Sequence, residues 1–132
     1  MNKTVKTATL LRTTWKTFHE SMLDPDEFTF FVWLFTKASK EDWKEFPASI
    51  NDVERQVKIK RGKQETIIRK FVGMGWLKAG KVSDEYGVPY RSFYVDITRL
   101  AEEDVLRRMF YPRKEGVYTD LLILFQGISK SS

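Results

Sequence analysis

Residues 53–77 read "VERQVKIKRGKQETIIRKFVGMGWL", and the way this stretch is divided decides the fold. Its apolar residues recur at helical spacing, yet its middle, "KIKRGK", is almost entirely cationic and contains a glycine. One long surface helix would carry an unbroken period through that middle. The spacing instead places Val53 and Val57 on the inner face of a first helix, with Ile59 in a turn. Ile68 and Phe71 then face inward from a second helix. Ser49 is a natural cap for the first helix. Gly73 and Gly75 end the second, since glycine accepts the left-handed backbone that a helix C-terminus often takes.

Upstream, Leu11, Trp15, Phe18 and Met22 form an apolar helical stripe. "DPDE" (24–27) predicts a helix start, with Asp24 as N-cap, Pro25 in the first turn and Glu27 as the capping-box acid. The helix that follows, "FTFFVWLFTKA", is apolar almost all round and is expected to be central and buried. "SKEDWKEF" reads as a further short helical turn stopped by Pro47. Downstream, "WLKAGKVS" and "YRSFYVDI" read as strands, the second alternating Phe93, Val95 and Ile97 with Ser92, Tyr94 and Asp96. "DEYGVP" joins them as a loop tip around Gly87 and Pro89. Thr98 is expected to cap a helix over "RLAEEDVLRRMFY", with Leu100, Leu106 and Met109 inward. The later segment "DLLILFQGI" has no settled helix or strand character.

Length and composition bound the answer. A chain of 132 residues suits one domain, and 42% hydrophobic content places it outside the disordered range. The absence of cysteine excludes disulfides and suits a reducing, cytoplasmic setting. Residues 1–9 have no apolar core of a signal peptide, and the runs "FTFFVWLF" and "LLILF" fall short of the roughly 20 residues of a membrane span. From Arg55 to Lys81 nine Lys/Arg stand against one acid, Glu65, a local balance of +8 in a chain whose net charge is +5. The basic character therefore belongs to one segment and points to an anionic partner.

The order of helix, tight turn, helix, glycine and hydrophobic strand, followed by a hairpin, resembles the winged helix-turn-helix family. The spacing Ile68-x-x-Phe71-x-x-x-Gly75-Trp76-Leu77 is its most specific part. The resemblance spans about residues 49–97, with 28–38 as the preceding core helix. It implies a mainly α fold with a small β-hairpin (α+β), one domain over 1–132. The core would span about 10–97, and a C-terminal helical extension 98–132. Glu54 stands where the family prefers a small residue and Lys58 where it often has glycine, which implies a slightly opened turn. The early Trp15-x-x-Phe18 segment before the capped helix is similar to the DnaD-like replisome organisers and replication initiators of phages and plasmids. That likeness implies origin binding and recruitment of a helicase or loader.

In the family, the second helix of the motif enters the major groove with its N-terminal part. By that resemblance Lys60, Arg61, Lys63, Gln64 and Glu65 would face base edges, with Arg61 matched to guanine and Gln64 to adenine, while Glu65 would accept from cytosine or orient a neighbouring cation. Gly62 would let the backbone approach a phosphate. Lys58, Arg69 and Lys70 are better placed for phosphates, and Lys78, Lys81 and Arg91, with Tyr86, for the wing.

Catalysis finds little support. His19, the only histidine, lies in a helical stripe, and the acid pairs sit at helix starts or in a loop. No zinc-ligand set, metal site, cofactor motif or phosphate-binding glycine loop is present in the sequence. The expectation is a non-enzymatic binder of double-stranded DNA, a homodimer acting in replication initiation or transcriptional regulation. A protein-interaction adaptor whose basic face meets an acidic partner is the alternative.

Overall fold

The computed structural model describes residues 23–85 and 87–102, together with 123, 126, 127 and 130. The stripe Leu11 to Met22, His19, Tyr86, Leu106, Met109 and most of the segment "DLLILFQGI" lie outside the described residues.

Helix α1 (Pro25–Lys40) starts where its capping residues require. The Asp24 carboxylate accepts the Glu27 N–H at 2.8 Å, and the Glu27 carboxylate accepts the Asp24 N–H at 3.0 Å. Its buried face carries Phe28, Phe30, Phe31, Leu34, Phe35 and Ala38, as its nearly continuous apolar character predicts. The helix ends in a Schellman arrangement. The Trp43 N–H donates to the Ala38 carbonyl at 2.7 Å and the Asp42 N–H to that of Ser39 at 3.2 Å. Asp42 and Trp43 both take positive φ there, 56° and 64°.

This reversal overturns the expected helical turn over "SKEDWKEF". The chain leaves the turn extended and forms strand β1 (Phe46–Ser49), which includes Pro47. Proline is tolerated because β1 is an edge strand, pairing among the described residues with one neighbour only. Packing supplies what local propensity does not: Trp43 meets Phe35 at 5.0 Å between ring centroids, and Phe46 meets Phe93 at 5.9 Å.

Helices α2 (Ile50–Val57) and α3 (Arg61–Gly73) divide the opening stretch as its spacing predicts. Ser49 caps α2 through the Asp52 N–H at 3.3 Å. Val53, Val57, Ile59, Ile68, Phe71 and Leu77 are all buried. The expected opening of the turn is corrected. Lys58 itself adopts the left-handed backbone, φ 60° and ψ 37°, and its N–H closes on the Glu54 carbonyl at 2.9 Å. The link between the helices is therefore only Lys58–Lys60. Gly75, at φ 93°, turns the chain out of α3 into Trp76, which is fully buried against Phe71 and Phe31.

Strands β2 (Leu77–Ala79), β3 (Ser83–Glu85) and β4 (Val88–Val95) complete the sheet. Residues 80–82 interrupt what the sequence presents as one strand. At that break the Gly80 N–H donates to the Ser92 carbonyl at 2.9 Å, and a Cβ on Gly80 would come within 2.8 Å of Ser92 Oγ. The expected loop "DEYGVP" shrinks, because Asp84 and Glu85 belong to β3, and Val88 and Pro89 to β4. Strand β4 is central and antiparallel to its partners: Phe93 faces Phe46 on one side and Ala79 on the other, and Tyr90 faces both Ser49 and Ser83. Helix α4 (Ile97–Leu100) is capped by Asp96, not Thr98, through the Arg99 N–H at 3.2 Å. Among the described residues the fold is mixed α+β, four helices with a four-stranded antiparallel sheet, so its β part exceeds a hairpin. No helix of the described residues is long and apolar enough to cross a membrane.

Candidate nucleic-acid interface

Helix α3 fixes the geometry of the basic segment. Gln64, Ile67, Ile68 and Phe71 form its buried face. One flank leans on the start of α1, where Lys63 Nζ lies 2.6 Å from the Asp26 carboxylate and Lys70 Nζ 2.8 Å from that of Glu27. The Asp26 carboxylate holds the Lys63 ammonium above its ordinary pKa, chiefly through this hydrogen bond. Glu27 thus caps α1 and holds α3 with the same side chain. The other flank meets the sheet, where Arg91 Nη2 donates to the Glu65 carboxylate.

The predicted site residues fall into three groups. Lys58, Lys60, Arg61 and Arg69 are exposed, and their side chains have no ion pair among the described residues. Lys63 and Lys70 are exposed but paired with acids of α1. Gln64 and Arg91 are corrected: both are buried, at 3% and 6% exposure. The Gln64 amide donates to the Ile59 carbonyl at 2.8 Å, which bridges the inter-helix turn rather than facing out. Arg91 continues the inward register of Phe93 and Val95 and reaches Glu65 from inside, while its Nε has no partner among the described residues. Glu65 is engaged by the same pair.

The hairpin cations do not join the α3 group uniformly. Lys78 pairs across the sheet with Tyr94, its Nζ 5.7 Å from the ring centre. Tyr94 alternates with Phe93 and Val95, so this pair occupies the sheet face turned away from α3. Lys81 is exposed in the interruption between β2 and β3. Sequence reasoning missed two features of the interface. Thr66 stands exposed on the outward side of α3, four residues after Gly62, with its hydroxyl donating to the Gly62 carbonyl at 3.3 Å. Asp26 and Glu27 are counter-charges for α3 as well as capping acids; their place one turn into a helix that must cross α3 is the signal that could have found them.

A scan of protein-family models finds no match, and searches of curated proteins and of solved structures find no significant match either.

Proposed function

We propose that the chain is a non-enzymatic, cytoplasmic double-stranded DNA-binding protein of the winged helix-turn-helix type, acting in replication initiation or transcriptional regulation. In this reading α2 and α3 are the motif, β3 and β4 form the wing, and two copies pair on the duplex. The observation that carries it is the free cationic group on one helix pair. Lys58, Lys60, Arg61 and Arg69 are exposed and unpaired among the described residues, and they surround the turn and outward side of α3. The element order helix, strand, helix, helix, strand and hairpin, with β1 and β2 flanking β4, supports the winged-helix assignment.

Fluorescence anisotropy with a labelled duplex, titrated over a range of salt, tests the reading. Each neutralised phosphate contributes about −0.9 to the slope of log K against log salt. Lys60→Ala with Arg61→Ala should therefore flatten that slope by about 1.8 and weaken binding. Failure of the wild-type chain to bind any duplex at low salt, or a double variant with unchanged slope, would remove the reading and leave the adaptor.

A further inference from the structure

Reading a base sequence needs side chains with paired donors and acceptors turned toward the groove, Gln or Asn for adenine, Glu or Asp for cytosine, Arg or Lys for guanine. On α3 the first two classes are engaged inside the molecule, Gln64 on the Ile59 carbonyl and Glu65 on Arg91. Lys63 is held by Asp26. The outward line of the helix, spaced by four, three and four, consists of Gly62, Thr66, Arg69 and Gly73, all exposed. Thr66 directs its hydroxyl back to Gly62. A Cβ at Gly62 or Gly73 would meet nothing within 4 Å, and neither glycine has positive φ. Gly62 stands in the first turn of α3 and Gly73 is its last residue, so neither occupies the helix interior where glycine costs most, and both leave the outward surface without a side chain. The outward line is bare at Gly62 and Gly73 and short at Thr66, with Arg69 the one long side chain on it and Lys60 and Arg61 beside its start.

We propose that this face binds duplex DNA through its phosphates without discriminating between base sequences, the low line of α3 letting helix backbone approach the duplex. The inference rests on the DNA-binding reading above and fixes what that site recognises. Arg61 and Arg69 are the exposed arginines of α3 with the chemistry to pair with guanine, and the proposal assigns them to phosphates; the α3 residues able to distinguish adenine or cytosine, Gln64 and Glu65, brace the fold.

The test is a set of anisotropy titrations with three duplexes of equal length, one of A·T pairs only, one of G·C pairs only and one mixed. The expected result is affinities within about threefold of one another with parallel salt slopes, as phosphate-only contacts require. Gly62→Gln with Gly73→Gln places side chains in open space, and should weaken binding to all three duplexes alike by about tenfold, with the thermal melt confirming the fold. Gln64→Ala should alter stability and create no sequence preference. A preference of about 100-fold for one duplex, or a consensus recovered by selection from random duplexes, overturns the inference and leaves DNA binding standing. Undiminished binding by the glycine double variant also overturns it. Absence of binding to all three duplexes removes the DNA-binding reading and this inference together.

Discussion

Lys58 shows how one residue sets the geometry of the helix pair. Its left-handed backbone carries a penalty of about 1–2 kcal/mol for an L-residue, which glycine would not incur. Lys58→Gly should raise unfolding stability by about 1 kcal/mol, read as a higher urea midpoint with unchanged slope. The same residue scale shows what was legible in the sequence. Val53, Val57, Ile59, Ile68 and Phe71 announce their burial because residue type and period agree. At Gln64 and Arg91 they disagree. Position 64 lies four before Ile68, and position 91 lies two before Phe93, so period alone assigns both to the interior. Their polar identity suggested an outward role, and the structure follows the period because each side chain finds a partner inside, Ile59 or Glu65.

At the scale of elements, α1 and the division of residues 53–77 into two helices were readable from capping and spacing, whereas the closed form of the turn between those helices and β1 were not. Four residues containing a proline have little intrinsic strand character; β1 exists because Phe46 and Ser49 find Phe93 and Tyr90 far along the chain. The break in the β2–β3 arm was equally hidden, since it depends on the close approach of Gly80 to Ser92. The contact between α1 and α3 gives an element-scale prediction. Asp26→Asn releases Lys63 and removes an anion beside the basic face. Duplex binding should strengthen at low salt, and its salt slope should steepen by about 0.9. The pair also links to pH. Because the folded-state pKa of Lys63 is raised above its ordinary 10.5, the stabilisation is fully present below that value and is lost as pH rises through the folded pKa. The stability difference between wild type and Asp26→Asn should hold constant through neutral pH and shrink above about 10.5, as denaturant titrations across that window would show.

At the scale of the whole molecule, the Arg91–Glu65 pair joins the hairpin to α3 and so holds together the two parts of the proposed interface. Arg91 is almost wholly buried, and removing its partner leaves a buried charge with no other ion pair among the described residues. Glu65→Ala should destabilise the fold by about 3 kcal/mol, while replacing both residues with apolar ones should recover most of that loss. A double-mutant cycle by chemical denaturation measures the coupling. If the single variant is as stable as wild type, the pair does not hold the hairpin.

The central strand has a consequence for how the chain is made. Strands β1, β2 and β3 all pair with β4, which comes last of the four in the sequence. As the polypeptide leaves the ribosome, the earlier strands wait without these partners until residues 88–95 emerge. Helices α1, α2 and α3 can begin to associate during that interval, but the sheet cannot close. Such delayed, long-range pairing exposes unpaired backbone for longest and makes folding slower than a purely helical chain of this size would require. A nascent chain halted before Val88 would therefore carry the cationic helix pair without the sheet that braces it.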